Sequence, residues 1–219
     1  MAAHPVIEYY FSFISSWSYI GSRRFRNVAM KHNAQVIYKP IDLMHLFSVS
    51  GGLPVKDRAI QRQAYRILEI KRWTKQNDIP IVMHPKYYPA DPSLAHRVLL
   101  AAIDEYGNDS SSVHDYVLRS QDTVWVDEAN LADPDVVLGN ANKAGLDGTR
   151  LLGRAKQEQE LLEQEQALTC EAMERRYFGA PTYVFRGEPF WGQDRIDMLD
   201  EVIQSGREPL EFGSKLREG

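Results

Sequence analysis

The chain has 219 residues, 43% hydrophobic and 26% charged, a balance ordinary for a globular protein and a length that permits a sizeable buried core. Its formal net charge of −4 and isoelectric point near 5.9 argue against nucleic acid as the main partner, because binders of a phosphate backbone present a basic face. A single cysteine, Cys170, excludes an intrachain disulfide and any Cys-x-x-Cys redox or zinc site.

In chain order, Val6 to Phe11 is short, aromatic and β-branched, which predicts a buried strand. Ser12 to Ser16 breaks it. From Trp17 to Lys31, Tyr19, Ile20, Phe25, Val28 and Ala29 recur near helical spacing, and Gln35 to Pro40 reads as a second strand. This β-α-β opening implies a parallel strand pair with a right-handed crossover. From Leu43 to about Gln166 the periodic stretches are helical, five or six in number, punctuated by Gly51-Gly52, Pro80, Pro85, Pro89, Pro92, Gly107, Pro134 and Gly145. Lys156 to Gln166, rich in Glu and Gln, reads as a solvated helix face. Ala167 to Tyr177 predicts a further helix with Cys170 packed inside it, Pro181 to Phe185 a strand, Arg186-Gly187-Glu188-Pro189 a hairpin turn, and Arg195 to Gln204 a final amphipathic helix. The expected organisation is a discontinuous α/β unit, residues 1–42 and 167–219, with a helical insertion over 43–166.

No apolar run is long enough to cross a bilayer, and Met1 to Ile7 lacks the pattern of an export signal, so no membrane partner and a cytoplasmic location are expected, with mitochondrion and peroxisome left open. Ser214-Lys215-Leu216 resembles a peroxisomal address, but three residues follow it. His84, His96 and His114 show no metal-ligand spacing, so no metal is expected.

Three segments sit at the junctions of this layout. Phe13-Ile14-Ser15-Ser16-Trp17-Ser18-Tyr19 follows the first strand, Phe178-Gly179-Ala180-Pro181-Thr182 precedes the third, and Trp191-Gly192-Gln193-Asp194-Arg195 precedes the last helix. Together they resemble the Phe-x-Ser-Pro-aromatic-Ser-Tyr, Phe-Gly-x-Pro and Phe/Trp-Gly-x-Asp-Arg segments of the 2-hydroxychromene-2-carboxylate isomerases and kappa-class glutathione transferases. That family has a thioredoxin-like fold with a large helical insertion, as in DsbA. The resemblance covers Ile7 to about Gly206. In two places this chain departs from the family: Ser16 stands where it has proline, and Gly51-Gly52-Leu53-Pro54 where it commonly has Gly-Asn-x-Pro.

The resemblance implies a glutathione-dependent isomerase of a small aromatic carboxylate, or a kappa-like transferase. It also implies that glutathione is the cofactor, that a homodimer forms, and that Ser15 is catalytic. By the same resemblance, Ser15, Ser16, Trp17, Gly52, Ala180, Pro181, Gln193 and Asp194 contact glutathione. The bond from Ala180 to Pro181 is then cis, and Gln193 and Asp194 hold the γ-glutamyl end. Read from the residues alone, Ser15 lies where a strand hands over to a helix N-terminus, whose unpaired N–H groups and partial positive charge suit either an ordinary N-cap or a hydroxyl that stabilises a ligand thiolate. Asp194 could likewise cap the last helix. Arg62, Tyr65, Arg72 and Trp73 offer either contacts to an acidic aromatic substrate or a basic edge with a buried tryptophan. A noncatalytic protein that binds a peptide along the Pro181 edge is the rival reading. Ser15 and Ser18 stand where two cysteines would be needed, which argues against a thiol-disulfide oxidoreductase.

Overall fold

The computed structural model describes residues 4–213, so the tripeptide Ser214-Lys215-Leu216 lies outside the described residues. The elements run β1 (Val6–Phe11), α1 (Ser16–Lys31), β2 (Gln35–Pro40), α2 (Leu43–Ser50), a 3-10 turn at Val55–Asp57, α3 (Ile60–Gln76), α4 (Ser93–Tyr106), α5 (Ser111–Trp125), α6 (Pro134–Lys143), α7 (Gly148–Gln157), α8 (Gln159–Glu174), β3 (Thr182–Phe185), β4 (Glu188–Trp191), a 3-10 turn at Gln193–Arg195, and α9 (Ile196–Ser205). The sheet order is β2-β1-β3-β4, with β1 parallel to β2 and antiparallel to β3. This is the expected DsbA-like thioredoxin arrangement.

Strand β1 is almost continuously apolar because both faces of the sheet are covered. On one face Ile7, Tyr9 and Phe11 join the main core with Phe25, Tyr38 and Tyr183, and the Tyr9 ring stacks between Phe11 at 4.7 Å and Tyr183 at 5.1 Å. On the other face Tyr10 packs with Ile41, Leu46, Ala172 and Val184 beneath α2 and α8. Fully burying each such side chain contributes about 1.5–3 kcal/mol, so this central strand is held rigidly and its C-terminal end is a firm platform. The β3–β4 hairpin turns on Arg186 and Gly187, with φ of 52° and 86°. Two consecutive positive φ values make the tight turn whose twist matches the strands it joins.

Three expectations change here. Lys156–Gln166 and Ala167–Tyr177 are not separate helices. The break falls at Glu158, and α8 runs unbroken through 166 and 167, because Glu, Gln, Leu and Ala all favour helix and nothing there stops it. The polar run is also not wholly solvated, since Leu161 and Glu165 are both buried. Cys170, expected to be packed, is exposed: it lies on the side of α8 turned away from the sheet, while Thr169 and Ala172 take the buried positions.

Candidate functional site

The site starts at the end of β1. After Phe11 the chain turns, and the Ser15 N–H donates to the Ser12 carbonyl at 3.0 Å, which sets Ser15 as the N-cap of α1 in extended conformation. Its Oγ accepts from the Ser18 N–H at 3.1 Å and donates to the Ala180 carbonyl at 3.2 Å. The cap bond satisfies one of the orphan N–H groups of the helix, worth about 1 kcal/mol. The second bond links the first motif to the second, 165 residues away. The Ala180–Pro181 peptide is cis, as the resemblance implies.

The second and third motifs also meet. The Gly192 N–H donates to the Pro181 carbonyl at 2.9 Å, and the Phe178 and Trp191 rings lie 4.6 Å apart. A Cβ on Gly179 would stand 2.6 Å from the Trp191 indole nitrogen, so glycine is required for this close approach. The third segment thus joins the second at Pro181 and meets α1 further along, at Arg24, while the first two meet at the N-terminal end of α1.

A cavity of about 990 Å³ opens over that end. Ser15, Ser16, Trp17 and Ala180 line one side, Phe47 of α2 and the 3-10 turn another, and Tyr88, Pro89 and Trp125 a third. Its volume is at the upper end for small-molecule sites, and its wall is mainly apolar and aromatic. A separate cavity of about 800 Å³ between β2, α1 and α5 lies away from all three motifs.

The charged groups on the main cavity's wall are unbalanced. Lys56, Arg58 and Arg66 face it with Asp57 as the sole carboxylate among the residues lining it, and none of these three cations forms an ion pair among the described residues. Arg66 donates from Nη2 to Ser16 Oγ at 2.8 Å, and Arg58 donates from Nε to the Leu53 carbonyl at 2.7 Å. Burial pulls the Arg66 guanidinium below its ordinary value, with Tyr88 opposing and the Arg58 charge adding to the effect. Burial likewise lowers Arg58. Guanidinium groups stay protonated under such shifts, so the cavity keeps an excess of positive charge.

The sequence-predicted residues divide. Ser15, Ser16, Trp17 and Ala180 line one cavity, with Pro181 buried behind Ala180. Gly52 does not line it: a Cβ there would stand 2.3 Å from the Phe47 ring, so Phe47 occupies the space a longer side chain would need. Gln193 is buried, its Oε1 accepting from Arg24 Nη1 at 3.1 Å. Asp194 is exposed, pairs with Arg195 at 2.8 Å, makes no cap bond and is not part of the cavity wall. The capping reading of Asp194 is thereby corrected: Gly192, at φ 100°, folds the Asp194 carboxylate back over itself and away from the helix axis.

On α3 the expected contacts lie on the wrong face. Arg62, Tyr65 and Arg72 are exposed, and Trp73 is half-buried with the Arg24 guanidinium 5.4 Å from its ring centroid. Arg66 and Arg58 face the cavity instead. The signal for Arg66 was present as Gln63, Arg66, Ile67, Ile70 and Thr74, an i, i+3, i+4, i+7, i+11 series that marks the packed side. Of the histidines, His84 lines the cavity, His96 is fully buried with Nδ1 2.8 Å from Glu165, and His114 Nδ1 lies 2.7 Å from the Tyr38 hydroxyl. Among the described residues no cluster of His, Cys, Asp and Glu suits a metal ion, and no helix is long and apolar enough to cross a membrane.

Known proteins share this fold. The chain is similar to 2-hydroxychromene-2-carboxylate isomerase of Sphingobium xenophagum, at 24% identity over 90% of this chain and 97% of that protein. The solved structure of a 2-hydroxychromene-2-carboxylate isomerase superposes with a TM-score of 0.74 at 24% identity, covering 91% of this chain and 95% of that one. Cytosolic disulfide reductase DsbM from Pseudomonas aeruginosa, solved with GSH, superposes at a TM-score of 0.64 and 15% identity, covering 92% of this chain and 98% of that one. The DSBA-like thioredoxin domain matches residues 6–204, and with that match the chain belongs to the DSBA-like thioredoxin family.

Proposed function

We propose that the protein is a glutathione-dependent isomerase of a small aromatic carboxylate, with Ser15 holding the glutathione sulfur as an anion. The observation that carries this reading is the Ser15 hydroxyl, set at the N-terminus of α1 and bonded to Ala180 O on the wall of a cavity with excess positive charge. It is supported by the isomerase names of the similar proteins and by the GSH in the DsbM structure.

The residues present fit glutathione. An anionic tripeptide meets Lys56 and Arg58 on the cavity wall, and the segment beside Pro181 gives it an edge along which to extend like an added strand. When bound, glutathione would supply a nucleophilic sulfur capable of reversible addition to a conjugated carbon, a chemistry that lets a double bond rotate and consumes no oxidant or reductant. Ser15 has one proton to give, and it now rests on Ala180 O. Turning it to the sulfur frees the Ala180 carbonyl for a peptide N–H of the ligand, so one bond is exchanged for two. The Ser18 N–H keeps the Ser15 oxygen in place through this change. Ser15 thus stabilises charge and is not itself the nucleophile. Trp17, Phe47, Tyr88 and Trp125 exclude water around the aromatic body, which strengthens the electrostatic terms. A homodimer belongs to the same proposal.

The test is a pH titration of thiolate ultraviolet absorbance with glutathione bound. The hydroxyl and the helix end together should lower the thiol by about two units from a reference near 8.5. Ser15→Ala should raise it back by about one unit, since it deletes the donor and keeps the dipole. An unchanged titration would remove Ser15 from the mechanism. Tight glutathione binding with no thiolate signal would favour the noncatalytic peptide binder instead, and accumulation of a stable conjugate would favour a transferase.

A further inference from the structure

We infer that Arg66 is the specificity-determining residue of the cavity: it binds the carboxylate of the electrophile and selects anionic over neutral aromatic ligands. This rests on the proposed glutathione-dependent reading for the identity of the sulfur, but the anion selectivity does not.

Three observations carry it. Arg66 spends one nitrogen on Ser16 Oγ at 2.8 Å, and no carboxylate neutralises it among the described residues. A guanidinium offers five donors in a planar fork, so the remaining ones are available for a bidentate carboxylate. Its pairing with Ser16 places it one residue from Ser15, beside the position the reacting sulfur takes. Arg58, on the same wall, adds positive charge without a carboxylate partner of its own. Leaving such groups half-buried and unpaired is unfavourable, and an incoming anion relieves that cost.

Position decides which anion. The glycine carboxylate of glutathione is seven bonds from the sulfur and reaches well beyond Ser16 when the tripeptide is extended. A carboxylate on a conjugated ring lies within two or three bonds of the carbon that the sulfur attacks. A cation tethered beside Ser15 therefore matches the electrophile and not the far end of the cofactor. Ser16 replaces a proline that could not have accepted this bond, so the same substitution that departs from the family pattern fixes the arginine.

Calorimetric titration with salicylate and its neutral isostere salicylamide tests the inference, on the whole protein with and without glutathione. The wild type should bind salicylate at least about tenfold more tightly than salicylamide. Arg66→Gln should bring that ratio to within about twofold while glutathione affinity changes by less than about twofold. Arg66→Lys, which keeps the charge but not the fork, should retain an intermediate preference and guards against a folding defect in the glutamine variant. Equal binding of the two probes by the wild type overturns the inference, as does a preference that survives in Arg66→Gln. Loss of glutathione binding in that variant also overturns it, by assigning Arg66 to the cofactor's own carboxylate. If glutathione fails to bind the wild type, the proposed function falls, while the salicylate ratio measured without glutathione still decides the role of Arg66.

Discussion

Two buried polar regions lie on either side of a wall formed by Ile14, Leu43, Met44 and Pro89, which line both cavities. On one side, in a cavity of about 640 Å³, Glu165 has each carboxylate oxygen engaged: Ser93 Oγ donates at 2.6 Å and His96 Nδ1 lies at 2.8 Å. The other His96 nitrogen is 3.5 Å from Ser12 Oγ, in the loop that delivers Ser15. On the other side, Ser15 holds its proton on a carbonyl it can give up, and the half-buried Arg58 and Arg66 have no carboxylate partners. The difference separates structure from function. A saturated polar set ties α4 and α8 to the β1–α1 loop and has nothing left for a ligand. An unsaturated one keeps its capacity for what enters.

The most severe way to break this comparison is His96→Ala. The His96 ring is fully buried, 5.3 Å from Phe13, and removing it leaves a cavity and a buried Glu165 carboxylate held by Ser93 alone. Opening that cavity and leaving Glu165 short of a hydrogen-bond partner together cost about 2–5 kcal/mol, which urea unfolding will read. The folded fraction should still bind glutathione within about threefold of the wild type. A cost below about 1 kcal/mol would mean that the saturated set is not what holds the loop.

Much of this fold was legible in the sequence. The strand at Val6–Phe11, the helix after it and the β3–β4 hairpin follow from β-branched runs, helical spacing and an Arg-Gly turn. The meeting of these motifs was readable only through resemblance, because no local pattern places Ser15 against Ala180. The harder reading was rotational. Basic residues occur all around α3, so composition favoured Arg62 and Arg72, although the spacing of Gln63, Arg66, Ile67, Ile70 and Thr74 already sets Arg66 on the packed side. Neither glycine nor proline marks the break at Glu158, and no local pattern shows that Gly52 leaves room for the Phe47 ring.

Asp194 sharpens the comparison from an intermediate position, exposed and paired with its neighbour Arg195. With no cap bond to lose, Asp194→Asn should change stability by less than about 0.5 kcal/mol. If its carboxylate turns from Arg195 to the γ-glutamyl ammonium when glutathione binds, losing that charge-assisted partner removes about 1.5–3 kcal/mol of affinity, roughly a tenfold to hundredfold weaker complex by calorimetry. Equal affinity would leave Asp194 as a partner of Arg195 alone and take it out of the binding site.

The smallest expected effect belongs to Cys170, a polar group free of partners that still falls on the structural side. Being unpaired signals a waiting ligand only where water is excluded, because an exposed group is already satisfied by solvent. Cys170 is exposed on α8, at the edge of the cavity that holds Glu165, across the wall from Ser15. It is also the one cysteine of the chain, so it has no resolving partner for thiol-disulfide exchange within the molecule. Cys170→Ser should therefore leave stability within about 0.5 kcal/mol and turnover unchanged, as judged by thermal unfolding and by an isomerisation assay with glutathione present. A well-folded serine variant that has lost turnover would show that glutathione is not the only working sulfur, and would put the reactive centre on the α8 side of the wall.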